Sequence, residues 1–169
     1  MLSDLFLTDF DAETATARKL LERVPDGKPD WRPHPRSMTL GRLATHVSEL
    51  PIWVTNTFIA DELDLAPGGT KPDFFPVLPT TAAMLEQLDR NTARAREVLA
   101  AATDEDFLKP WTLKWGGNAI WTKSKHEVFR IWAMHHLVHH RAQLGVYLRL
   151  LDVPIPGSYG PSADEQPGG

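Results

Sequence analysis

Apolar residues recur at helical spacing in four stretches of the 169-residue chain, separated by segments rich in proline and glycine. The first runs from about Asp9 to Arg23, carries Leu20, Leu21 and Val24 near its end, and stops before the turn signal Pro25-Asp26-Gly27. The linker KPDWRPHPRSMT is too rich in proline to be regular. The second helical stretch spans about Thr39 to Leu63, with Ser37 or Thr39 as its N-cap and Pro51 kinking it. A long connection, LAPGGTKPDFFPVLP, leads to a third helix from Thr80 or Thr81 to about Ala102. WTLKW and AIWTK flank Gly116-Gly117-Asn118 and predict a β-hairpin. The fourth helix runs from about Lys125 to Leu151. Four long helices and little strand predict an all-α four-helix bundle, as a single domain over residues 1–153 followed by a tail over 154–169.

The fourth helix changes the picture, because it holds four of the seven histidines within IWAMHHLVHHRAQLGVYLRLL. With ~100° per residue and His136 at zero, His140 falls near +40°, within an apolar stripe shared by Phe129, Leu137, Leu144 and Tyr147. Arg130, Arg141 and Arg149 lie on the opposite arc, which gives Arg141 a structural ion pair rather than a place in a site. His135 and His139 fall on the flank of the stripe and read as partly exposed. His136 and His140 therefore point inward at the i, i+4 spacing that lets two imidazoles of one helix reach one ion. In LGRLATHVSEL, His46 shares a face with Leu43, Val47, Leu50 and Trp53. Three inward imidazoles from two helices form a facial set with open positions, as at a catalytic metal centre. The bland alternative is a set of core histidines bonded to backbone carbonyls. His34 and His126 carry no pattern.

Composition narrows the chemistry. There is no cysteine, so disulfides, thiolate ligands and a cysteine nucleophile are excluded. Net charge is −4 with no Lys/Arg-rich run, which argues against nucleic acid as a partner. No apolar stretch approaches a membrane span, and the N-terminus lacks a signal-peptide pattern, so a cytoplasmic protein without membrane contact is expected. Glu-x-x-His pairs of a di-iron site, a G-x-S-x-G elbow and a phosphate-binding glycine loop are all missing. Imidazole donors suit zinc and nickel first, with iron or manganese as further choices. Glu49, about 60° off the direction of His46, reads as a rim carboxylate, and Gln143 as a group able to orient a ligand. No dedicated catalytic base stands out.

"LATHVSE" followed much later by "HLVHHRAQLGVYLR", with the tail "PIPGSYGPSADE", resembles the DinB-like superfamily of bacterial metal-binding four-helix bundles. The resemblance spans nearly the whole chain. It implies an up-down-down-up bundle, a divalent metal on His46, His136 and His140, and a homodimer. Ala142 stands where the family usually has glycine, a conservative change inside a helix. Relatives include transferases and isomerases that use a low-molecular-weight thiol, and metal-dependent hydrolases. The expected function is therefore a metal-dependent S-transferase acting on a small-molecule substrate. The alternatives are a hydrolase and a non-enzymatic, stress-associated metal-binding protein. At least one of Trp111, Trp115 and Trp121 is expected to cap the bundle core, and Trp115 or Trp121 is a candidate for the mouth of the site. Ile155 and Tyr159 predict a tail packed on the bundle surface or on a partner subunit from residue 154 to about 163, with only the last residues loose.

Overall fold

The computed structural model describes residues 1–70 and 76–165. Part of the long connection and the last four residues of the tail lie outside the described residues, so the expectation of a loose end falls there.

The chain is mostly helical, with a small sheet at one end. Helix α1 spans Leu2–Leu21, α2 Leu40–Glu49, α3 Ile52–Ile59 and α4 Thr81–Ala101. The last helical region has three parts: α5 over Lys125–Val128, a π-helical segment over Phe129–His135, and α6 over His136–Leu150. These regions enclose an apolar core in which Leu21, Leu40, Leu43, Leu88, Leu137 and Leu144 are fully buried. A second cluster, around Phe10, Leu99, Phe107 and Phe129, extends it.

Local chemistry sets the boundaries. The Thr39 hydroxyl accepts from the Arg42 amide and the Thr80 hydroxyl from the Ala83 amide, each at 3.2 Å, so both serve as N-caps. Ser124 and Glu127 form a reciprocal capping box that starts α5. Helix α1 begins seven residues earlier than its sequence pattern suggests. Its Leu2 amide donates to Asp104 at 2.7 Å, a cap from 102 residues away that no local pattern discloses.

The second helical stretch departs most from expectation. Pro51 divides it into α2 and α3 rather than merely bending it, since proline lacks an N–H. It also ends at Ile59 instead of Leu63, and Glu62–Asp64 becomes strand β1. Two tertiary contacts outweigh the helical pattern there. Lys125 Nζ donates to the Ala60 carbonyl at 2.9 Å, and β1 pairs in parallel with strand β2, Pro110–Trp115. The expected hairpin is present: β2 runs antiparallel to β3, Asn118–Ser124, around Gly116 and Gly117, both at positive φ. The Asp64 carboxylate fastens β1 to this turn by accepting from the Gly116 and Gly117 amides at 2.9 and 2.6 Å. The expectation of helices with at most a hairpin is thus corrected to helices with a three-stranded sheet, ordered β1-β2-β3.

The tail packs as expected over the described part. Ile155 lies against the main core, the Ser162 hydroxyl donates to the Ile155 carbonyl at 2.6 Å, and Asp164 pairs with Arg149. No helix among the described residues is long and apolar enough to cross a membrane.

Candidate metal centre

Helix α2 and the start of α6 meet so that His46, His136 and His140 face one another. Their ring centroids lie 4.7–5.1 Å apart. One nitrogen from each falls within 4.8 Å of the others, and the Nε2 atoms of His46 and His136 are 3.3 Å apart. Two nitrogens bound to one tetrahedral zinc at about 2.0–2.1 Å stand ~3.3 Å from each other, so the spacing fits a shared ion.

The other ring nitrogens decide which lone pairs converge. His46 Nδ1 lies 3.1 Å from Glu49 Oε2, and a carboxylate only accepts, so Nδ1 carries a proton toward Glu49 and Nε2 is the nitrogen turned toward the other two rings. His140 Nδ1 donates to Gln143 Oε1 at 2.7 Å, with the same consequence. His136 Nδ1 is buried without a hydrogen bond of full geometry, but the Trp132 backbone beside it favours the protonated ring. His46 Nε2 and His136 Nε2 stand 3.3 Å apart, so either a proton on one of them or a cation among the three rings relieves the repulsion of facing lone pairs. Core histidines bonded to carbonyls would not show this arrangement.

Electrostatics agree. Burial lowers the pKa of His136, and the neighbouring His46 lowers it further. Burial brings His140 down to about 4, against the opposing effect of the hydrogen bond it donates to Gln143. Both rings are therefore neutral, ligand-competent imidazoles near neutral pH. Burial pushes the Glu49 carboxyl upward, yet hydrogen bonds from His46 and Arg42, with the charge of Arg42, hold it below the ordinary range.

Glu49 was undervalued by the sequence reading. It is 6% exposed rather than a rim carboxylate. Arg42 Nη2 and Nη1 grip it at 2.8 and 3.1 Å while it holds His46. The spacing Arg42-x3-His46-x2-Glu49 on one helix was the available signal, because residues three, four and seven apart share a face. Gln143 does orient a ligand ring, and Arg141 is indeed structural, paired with Glu13 of α1. His135 and His139 are exposed and stand outside the trio.

One side of the trio opens into a pocket of ≈ 250 Å³, walled by Ile52, Trp53, Leu63 and Leu65, with Arg42 and Asn56 as its polar members. The tryptophans behave differently from one another. Trp111 is fully buried and caps the core. Trp121 stacks on Trp132 at 5.3 Å, and Trp132 in turn sets its edge against His136 at 6.2 Å, so Trp121 touches the site through an intervening ring rather than lining it. Trp115 is 40% exposed and does not line the pocket.

Residues 9–144 match the profile of the DinB superfamily. The chain belongs to that superfamily. A relative from Bacillus subtilis (strain 168), the uncharacterized protein YrdA, is 27% identical over 165 residues, covering 96% of this chain and 90% of its own. Two solved DinB-like proteins share the fold. One, from Bacillus cereus ATCC 10987, has TM-score 0.70 and 24% identity, covering 91% of this chain and 95% of that one. The other, YjoA from Bacillus subtilis, has TM-score 0.69 and 15% identity, covering 91% and 97%. In this DinB-superfamily chain, the trio is a group of described residues able to hold a metal ion.

Proposed function

We propose that the chain binds a divalent metal, zinc or nickel before iron or manganese, through Nε2 of His46, His136 and His140. We further propose that it is a metal-dependent transferase joining a low-molecular-weight thiol to a small molecule. The observation that carries this reading is the convergence of three imidazole nitrogens within 4.8 Å of one another, with the rings of His46 and His136 lining an open pocket. A divalent ion held there supplies a Lewis acid that lowers the pKa of a bound thiol or water. The rest falls to the protein. Glu49, clamped by Arg42, fixes the tautomer and direction of His46, and Gln143 does the same for His140. Trp53, Ile52, Leu63 and Leu65 exclude water and contact the apolar part of a substrate, while Asn56 and Arg42 offer polar contacts.

Hydrolysis is the second reading. What favours it is the charge of the pocket: among the described residues that line it, the one Lys or Arg is Arg42, and it pairs with Glu49. A purely metal-holding role is less well supported, because the three ligands leave a side facing the pocket. The proposal includes a homodimer in the cytoplasm and an up-down-down-up course for the four helical regions, as in the resemblance.

Metal analysis and a thiol-conjugation screen test the function. We expect about one tightly held ion per chain and conjugation of small electrophiles that is lost with chelation. His140→Ala should weaken metal binding by more than about a hundredfold, exceeding the usual effect of losing an outer partner, while His139→Ala should leave the tight site intact. Turnover of esters or amides without thiol would select the hydrolase. A metal-free wild type that takes up no zinc on titration would refute the centre itself.

A further inference from the structure

The histidine run contains a second pair that the trio does not use. His135 closes the π-helical segment with helical backbone angles (φ −65°, ψ −33°), and His139 follows one turn later on α6. At i, i+4 on a helix their Cβ atoms are roughly 5–6 Å apart, close enough for both imidazoles to grip one ion. Both residues are exposed. They line an open recess of ≈ 340 Å³ together with Ile131, Trp132 and His136. Among the described residues no carboxylate lines that recess, so the donors they offer are imidazoles, with water to complete the set.

The recess adjoins the inner site. His136 belongs to both, and the ring of His139 lies 4.8 Å from that of His140. The pocket on the other side of His136, walled by Trp53 and Leu63, does not include the outer pair. His136 is thus approached from two sides, and one of them carries two further imidazoles, both on exposed residues.

We propose that His135 and His139 form a second, weaker divalent-cation site on the outer flank of the last helix, and that ions reach the inner trio through it. Two imidazoles and water hold borderline cations such as Zn²⁺, Ni²⁺ or Cu²⁺, without the oriented outer partners that Glu49 and Gln143 give the inner ligands. A weak site one ring away raises the local concentration of ion at the inner centre without competing for it at equilibrium. The loading role rests on the inner centre proposed above; binding by the outer pair does not.

Zn²⁺ titration of the metal-free full chain by calorimetry tests both parts, using wild type, the double variant His135→Gln/His139→Gln and the inner variant His46→Ala. Thermal melts establish that each is folded, and the two exposed substitutions leave the core untouched. Wild type should show a tight and a weak class of site. The outer variant should lose the weak class and keep the tight one, whereas His46→Ala should do the reverse. In stopped-flow loading at low micromolar zinc, the outer variant should fill the inner site more slowly, by on the order of tenfold. A weak class that persists in the outer variant, or is missing from wild type, overturns the second site. Loss of the weak class with an unchanged loading rate overturns the loading role. If His46→Ala keeps the tight class, the inner centre fails, while the outer site stands or falls on its own variant.

Discussion

His140 and Arg141 are adjacent on α6 and belong to opposite kinds of polar network. Arg141 is 2% exposed and points toward α1, where it donates to the carboxylate and carbonyl of Glu13 and to the hydroxyl of Tyr159. Tyr159 closes the ring by donating to Glu13 at 2.9 Å. Its ring also lies under the guanidinium, 5.2 Å from centroid to Cζ. Donors and acceptors answer one another there. Around His140 the outer nitrogens of His46 and His140 are answered, by Glu49 and Gln143, that of His136 has no full hydrogen bond, and the inner nitrogens face each other. Buried polar groups are ordinarily satisfied, and a set left open on purpose has to be held open by its surroundings. The closed network holds the fold; the open one is where a ligand fits.

Substitutions that separate the two networks sharpen this contrast. Arg141→Ala should have the largest effect. It removes the buried partner of an ion pair and leaves Glu13 with only the Tyr159 hydroxyl, which costs about 3 kcal/mol. For a chain of this size that lowers the melting temperature by about 10 °C. Zinc affinity measured well below the transition should be unchanged. If affinity falls in step with stability, the two networks are one unit and the comparison fails.

Glu49→Gln reaches the open network instead. The amide still accepts from His46, but the charge that holds the ring's tautomer and raises its basicity is gone. Metal affinity should drop by about 10–100-fold, with a far smaller change in the melting temperature of the metal-free protein. Equal metal affinity in the variant and the wild type would reduce Glu49 to a partner of Arg42.

These two residues also show what the sequence discloses. The inward phase of His136 and His140, the face of His46 and the outward turn of Arg141 all follow from helical periodicity, because each sits within a regular segment. The depth of Glu49 does not follow, since angular offset on α2 says nothing of what packs over it. The π-helical turn at Phe129–His135 is equally hidden. Its extra residue per turn shifts the phase of everything before His136, and so Trp132 comes to lie between Trp121 and the trio. Strand β1 was read as helix because its pairing with β2 and its tie to the Gly116–Gly117 turn are contacts made 50 residues away.

Acidity should distinguish the networks next. His136 and His140 have folded-state pKa values below the ordinary 6.5, the latter at about 4. Between these values the unfolded chain binds more protons than the folded one, so stability rises with pH through this window. The metal-free protein should therefore be at full strength above pH 6.5 and weaken as pH falls toward 4. With the rings only partly buried, the loss is on the order of 1–2 kcal/mol. Zinc should leave with the same protons. A His136→Gln/His140→Gln variant should lose this part of the pH dependence, as read from melting temperatures at pH 4.5, 5.5 and 7. An unchanged slope in that variant would place the acid sensitivity in other groups.

The smallest effect is expected at the edge of the closed network. Tyr159 is 74% exposed, yet its hydroxyl both donates to Glu13 and accepts from Arg141 at 2.6 Å. Tyr159→Phe keeps the ring beneath the guanidinium and removes only these hydrogen bonds. Arg141 and Glu13 still satisfy each other, and water can reach the vacated position. The net loss is about 1 kcal/mol or less, a shift of some 2–4 °C in melting temperature. The local consequence should be larger than the global one. Residues 154–165 are held by Ile155 on the core, by Asp164 on Arg149 and by this hydroxyl, so its removal frees the middle of the strap while both ends remain attached. Hydrogen exchange at the Gly157 amide, which donates to Glu165 at 2.9 Å, should quicken, with no change at the amides of α2. Faster exchange in α2 as well would mean that the strap and the metal-facing helix open together. The two networks would then not be separable after all.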